Sequence, residues 1–268
     1  MATGLHDEEV FDMITVIIPT FNERNNTVAI VDRINDAMRN IDYEVLFVDD
    51  STDDTEQILK SLSLRDRHVR YIHRDNERGL ATAVVKGFKE AKGNIVAVMD
   101  GDLQHPPELL PLMYEGIMNG HDVVIPSRFI PGGDDGGLNI FRKMISFTAR
   151  CIACISIKSL RHLTDVTSGV FMIRKEVLHD AQLSPIGWKI LIEILVKGHY
   201  QSVLEIPYAF QARSTGDSKM SMREQVNYMR HIGRIIYDKP SEARFLLLSL
   251  VGGVGVAINL LVFAVVLP

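Results

Sequence analysis

Hydrophobic positions in the first half of the chain fall into short runs, and the stretches between them carry helical spacing. Ile14 to Ile18 reads as a strand and Thr27 to Met38 as a helix. Glu44 to Val48 is the next strand, followed by a helix over Thr55 to Leu64. Val69 to Ile72 is a short strand and Leu80 to Ala91 a helix. Ile95 to Met99 is apolar almost throughout, as in a strand covered on both faces. Pro107 to Met118 reads as a helix and Val123 to Ile125 as a strand. Repeated strand–helix units of this length predict an α/β fold with a mostly parallel, doubly wound sheet.

Beyond Arg128 the pattern changes. Pro131 to Gly137, PGGDDGG, is a loop signal, and its acids Asp134 and Asp135 are expected to face water. Residues 138–160 are apolar almost all round, broken by Arg142, Lys143, Arg150 and Lys158, which predicts a helix in a membrane interface rather than a buried one. Gly198 to Gln211 reads as a strand and Ser214 to Ser221 as a polar loop. A stripe of Met222, Val226, Met229, Gly233 and Ile236 predicts an amphipathic juxtamembrane helix over 222–240. From Phe245 to Leu267 there is no charged residue in 23 positions, enough to span a bilayer.

The expected organisation is a tail over 1–13, a catalytic domain over 14–221, the juxtamembrane helix, and a transmembrane helix over 245–267. Pro268 follows that span directly, so it reads as the first of several in a longer protein. Six Lys/Arg against three acids between Lys219 and Arg244 place the globular domain on the cytoplasmic side.

Composition narrows the classes. The 268 residues are 46% hydrophobic and 24% charged, which excludes a disordered or collagen-like chain. A net charge of -5 offers no positive field for nucleic acid. Residues 1–13 hold four acids and no Lys or Arg, unlike a secretory signal. Cys151 and Cys154 imply neither a disulfide framework nor a redox site; they read as small residues on one helix face.

The candidate chemistry sits where strands end, which is where open α/β sheets bind ligands. The first strand runs into Pro19-Thr20-Phe21-Asn22-Glu23, the second into Asp49-Asp50-Ser51, and the fourth into Asp100-Gly101-Asp102-Leu103-Gln104. Asp100 and Asp102 can converge on one hard cation, Mg²⁺ or Mn²⁺, with the Gln104 amide oxygen as a further ligand. Gly101 keeps that turn open. Such an ion would neutralise a diphosphate leaving group. Asp49 and Asp50 could accept from a ribose or a base, Phe21 could flank the base, and Glu23 could accept from its N–H. The competing structural reading makes these acids caps at helix starts.

In order, PTFNE, VDDSTDDT, MDGDLQHPPE, SRF with PGG, TSGVFMI and RSTGDSKMS resemble the family 2 glycosyltransferases of GT-A fold, over about residues 13–240. The likeness is strongest to the dolichyl-phosphate mannose synthase branch of polyprenyl-phosphate glycosyltransferases, and RFLLLSLVGGVGVAINLL resembles the first helix of the membrane domain often fused to them. Gly101 stands where members often carry another small residue. The resemblance implies that Pro19, Phe21, Glu23, Val48 and Asp50 surround the nucleoside. It implies that Asp102 and Gln104 hold the metal, with Asp100 contributing directly or through water. Arg128 would lie near the diphosphate and the acceptor phosphate, Arg142 and Ser146 would grip the lipid phosphate, and Arg213 and Lys219 would close over the donor.

The expected activity is an inverting transfer of mannose from GDP-mannose to a polyprenyl (dolichyl) phosphate at a membrane. UDP-glucose or a related donor with bactoprenyl phosphate is the alternative. A silent sugar-nucleotide-binding protein and a nucleotidyltransferase are the rivals from other classes. The intact DGDLQ argues against the first and the missing Gly/Lys-rich loop against the second.

Overall fold

A computed structural model of the chain describes residues 12–75, 77–136, 140–211 and 222–243, together with 252, 255 and 256. The predicted alternation is present. Strands β1 (Ile14–Thr20), β2 (Tyr43–Asp49), β3 (Val69–His73), β4 (Ile95–Val98) and β5 (Val123–Ser127) alternate with helices α1 (Thr27–Ala37), α2 (Thr55–Arg65), α3 (Leu80–Glu90) and α4 (Leu109–Met118). Every residue of β1, β2, β4 and β5 is buried, because helices cover both faces of the sheet.

The second half adds α5 (Ile140–Ser156), β6 (Phe171–Arg174), α6 (Ile190–Lys197), β7 (Val203–Pro207) and α7 (Met222–Asp238). Gly198 to Gln211 is therefore not one strand. Pairing stops at Pro207, and only Ala209 bridges onward, to Asp134. The strand β6 and the helix α6 were not foreseen; both are short apolar runs whose periodicity does not distinguish strand from helix.

The strand order is β3-β2-β1-β4-β6-β5-β7. The chain winds outward from β1 through β2 to β3, then crosses back to β4 on the other side of β1. The carboxyl ends of β1 and β4 thus flank the switch point, where a crevice opens. All pairings are parallel except those of β6, which runs antiparallel to both β4 and β5. That reversal matters for the site. With Val98 opposite Phe171, the residues just before β6 lie beside those just after β4.

Two apolar layers flank the sheet. One packs α1 and α4 on Ile18, Phe47 and Met99; the other packs α3, α6 and parts of α5 and α7 on Ile17, Leu46 and Ile173. Helix α5 is not apolar all round its exposed circumference. Ala153 is fully buried and Ala149, Ile152 and Cys154 pack on the core, whereas Met144, Phe147 and Ile155 face outward. On α7, Tyr228 and Ile232 are buried while Val226, Met229 and Tyr237 are exposed. Cys151 and Cys154 are free thiols, both half-buried. Asp134 is exposed as expected. Asp135 is not simply solvated: it is half-buried and pairs with Lys143 at 2.8 Å.

Among the described residues no helix is long and apolar enough to cross a membrane. The predicted span over 245–267 lies outside them, apart from Gly252, Gly255 and Val256.

Candidate active site

A cleft of about 900 Å³ opens over the carboxyl ends of β1, β2 and β4. It gathers Pro19, Phe21, Glu23, Asp50, Asp100, Gly101, Asp102, Gln104 and Arg128 from strand ends and loops far apart in sequence, and Ser146 from α5. A smaller cleft of about 400 Å³, lined by Asn35, Asp42 and Asp66 among others, lies at the opposite, amino ends of the strands and holds none of these residues. Val48 does not reach the larger cleft. It is fully buried in the core, because its side chain points into the helix layer beneath. Arg142 lies on α5, and its side chain is outside the described residues. Arg213 and Lys219 lie outside them altogether.

The loops after β1 and β2 are laced together. Asp50 N donates to Thr20 O at 2.9 Å, Asn22 N to Ser51 Oγ at 2.8 Å, and Thr52 N to Asn22 Oδ1 at 2.9 Å. Asn22 adopts a φ of 54°, a left-handed value that asparagine tolerates better than most residues. The two acids after β2 have separate fates. Asp49 is fully buried and accepts from Ser51 Oγ and from His73 Nδ1, the latter at 2.7 Å. Asp50 borders the cleft, but Arg74 already engages both its oxygens, at 2.7 and 2.6 Å, and Gly79 N donates to Oδ2 at 2.9 Å. Asp50 therefore first of all pins the 74–79 loop, and Arg74 is a partner that sequence reading missed.

The His73–Asp49 bond makes a pH prediction. That hydrogen bond, more than any other influence, holds the imidazole pKa above its ordinary value. A group whose folded pKa is raised contributes stability that is complete below the unfolded value and is lost as pH rises through the folded one. His73→Ala should therefore lower the urea midpoint more at about pH 5.5 than at about pH 8.5. An equal loss at both values would dissociate the bond from stability.

The acidic loop after β4 is a tight turn. Leu103 takes a φ of 60°, and Gln104 N donates to Asp102 Oδ1 at 3.1 Å. The Gln104 backbone carbonyl accepts from Gln211 N at 3.0 Å, and its side-chain nitrogen faces Gln211 O at 3.4 Å, which leaves the amide oxygen as the end available to a cation. Among the described residues no group of three or more His, Cys, Asp or Glu converges as a metal cage. Two carboxylates and an amide oxygen still make a hard-oxygen donor set, and Mg²⁺ characteristically takes one or two carboxylates and shares the rest of its shell with phosphates and water.

Beside the acids stands the start of β6. Continuing the antiparallel register sets Gly169 opposite Asp100, and a Cβ at Gly169 would fall on Asp100 Oδ2 and within 3.2 Å of His105 Cε1. His105 is buried against Phe210, with ring centroids 5.4 Å apart. Burial pushes its pKa down to about 4, so the ring is neutral near pH 7. Its Nδ1 lies 3.7 Å from Asp100 Oδ2 and has no hydrogen-bond partner among the described residues.

Arg128 follows β5 and is held rather than loose. Asp165, fully buried, accepts from its Nε at 2.9 Å and its Nη2 at 3.3 Å. The guanidinium also lies 5.1 Å from the Phe129 ring and 5.3 Å from that of Phe210. Asp165 N and Thr164 N in turn donate to Glu205 on β7. Asp165 and Glu205 lie about 40 residues from their partners, and nothing local marks them. Asp165→Ala leaves a buried guanidinium unpaired and should cost about 3 kcal/mol of stability. Urea denaturation checks this; a loss under about 1 kcal/mol would mean the pair is effectively solvated.

Residues 15–182 match the family model described as Glycosyl transferase family 2. The dolichol-phosphate mannosyltransferase of Pyrococcus furiosus is 42% identical over 247 residues, covering 92% of this chain and 70% of that protein. The protein of the same name from Saccharomyces cerevisiae is 34% identical over 238 residues, covering 84% and 87%. In structure, the chain resembles glucosyl-3-phosphoglycerate synthase from Mycobacterium tuberculosis, solved with Mn²⁺ and UDP. The TM-score is 0.65 at 18% identity, over 85% of this chain and 79% of that one, a likeness of fold alone.

Proposed function

The chain belongs to glycosyl transferase family 2, and from that premise we propose that it transfers mannose from GDP-mannose to a polyprenyl phosphate of the dolichyl type. The observation that carries this reading is the meeting of Asp102, Asp100 and Arg128 in one cleft at the sheet's switch point. Relatives that share most of the chain's length bear the matching name.

An acceptor phosphate oxygen forms a bond to the anomeric carbon while the bond from that carbon to the donor diphosphate breaks. The electron pair leaves on GDP. The acceptor is already anionic near pH 7, so no strong base is needed, and attack opposite the leaving group inverts the centre. Asp102, Gln104 and Asp100 would hold Mg²⁺ or Mn²⁺, which supplies charge neutralisation at the leaving diphosphate. Pro19, Phe21 and Glu23 flank the nucleoside end, with Asp50 acting there through the loop it pins. Val48 supports that wall from the core. Arg128, Ser146 and, on α5, Arg142 would face the acceptor phosphate, and Arg213 and Lys219 would counter the charge of the donor phosphates. Phosphates suit guanidinium groups geometrically.

The domain would sit on the cytoplasmic face of a membrane. The supporting pattern is on two touching helices. Met144, Phe147 and Ile155 line the outer face of α5, and Val226, Met229 and Tyr237 that of α7, whose Tyr228 hydroxyl donates to Ala149 O on α5. Residues 222–240 would then precede the expected span at 245–267.

Mass spectrometry of the lipid product from GDP-mannose and dolichyl phosphate tests the reading. A mannosyl phosphate lipid is the expected product; transfer from UDP-glucose alone would replace the donor assignment.

A further inference from the structure

Lys189 is one of four charged residues lining the cleft, with Arg78, Arg223 and Glu224, that the proposed reaction does not use. Lys189 stands at the amino end of α6, and its Nζ donates to Thr167 O at 2.6 Å. It shares the cleft with Arg128, Asp100 and His105. Among the described residues no carboxylate lies within ion-pair distance of it, whereas Arg128 is matched by Asp165. Burial lowers the Lys189 pKa, and the field of Arg128 adds to that, against the pull of Asp165 and Asp100. Lys189 is half-buried, so its ammonium is partly stripped of water and gains from an anion that joins it.

The surroundings fit an anion. No side chain caps the start of α6, and the helix amino end adds a favourable partial charge. The segment carrying Lys189 is anchored from outside the cleft: Ile186 N donates to His231 Nδ1 on α7 at 2.8 Å. The cleft is also lined by Ile145 and Ala149 of α5, an apolar approach that a prenyl chain would use. The donor's diphosphate is assigned above to the metal acids Asp100 and Asp102, which leaves Lys189 for the other substrate.

We propose that Lys189, with Arg128, forms a two-cation cradle for the acceptor's phosphate monoester and aligns its oxygen for attack. The inference rests on the acceptor being a phosphate, as proposed above. Arg128 brings a charge already paired with Asp165; Lys189 brings one that no carboxylate among the described residues meets at ion-pair distance. Three rotatable donors, of which Thr167 O takes one, leave Lys189 able to hold phosphate oxygens.

The test measures wild type, Lys189→Gln and Lys189→Arg in full-length protein in detergent. Citronellyl phosphate, a short prenyl phosphate, is titrated calorimetrically without donor, and GDP with Mg²⁺ is titrated separately. Lys189→Gln should weaken citronellyl phosphate binding by roughly 10-fold or more while the GDP affinity holds. Lys189→Arg should restore most of it, which a packing role would not do. Weakened GDP binding with an intact prenyl phosphate affinity would move Lys189 to the donor and overturn the assignment. Unchanged binding of both ligands would overturn it too. A wild-type protein that binds no prenyl phosphate would instead sink the acceptor reading beneath it.

Discussion

Asp102→Asn should reduce turnover about 100- to 1,000-fold and flatten the response to added Mg²⁺ or Mn²⁺. Asp102 is buried along the cleft, and its Oδ1 accepts from Gln104 N, so it shapes the turn and, in the proposed reaction, lends a carboxylate to the metal. Asparagine keeps the turn's acceptor oxygen and loses the charge. The fold should therefore survive while the electrostatic contribution goes. Initial rates across a metal titration, with a melting curve on the same sample, separate the two effects. An unchanged rate and metal response would remove Asp102 from the metal site.

Gly169→Ala should be nearly as damaging, although Gly169 carries no chemistry. A Cβ there would displace the Asp100 carboxylate and crowd the His105 ring, in a place where the backbone of β6 closes on the acidic loop. A loss of about 100-fold in activity is expected, since an ångström of misplacement in a ligand is enough for that. Gly101→Ala supplies the contrast within the same site. Its Cβ would meet Ile18 Cγ2 at 3.4 Å and Glu23 Cγ at 3.8 Å, ordinary packing distances, so activity should change less than about threefold. Equal losses in the two variants would show that the acidic loop, not its contact with β6, is the sensitive part. That tolerance also suits the family resemblance, in which other small residues stand at the place of Gly101.

Much of this was legible beforehand. Runs such as Ile95 to Met99 could be placed because a strand buried on both faces leaves a continuous apolar record. The polar groups at Pro19–Glu23, Asp49–Asp50 and Asp100–Gln104 could be located because loops after strands carry the binding chemistry of such sheets. Which apolar residues of α5 face outward was not readable. The sequence shows apolar residues on all sides, and only packing tells which of them, such as Ala153, turn inward and which, such as Phe147, turn out.

Periodicity along the chain is a local property, so it determined the order of strands and helices and where the polar turns fall between them. It could not determine partners. That β6 runs antiparallel and brings Gly169 against Asp100, that Arg74 occupies Asp50, that Asp165 holds Arg128, and that Lys189 reaches Thr167 in the same cleft, are all decided by strand register and helix placement. Those depend on burial summed over the whole sheet, and a few neighbouring residues carry no record of it.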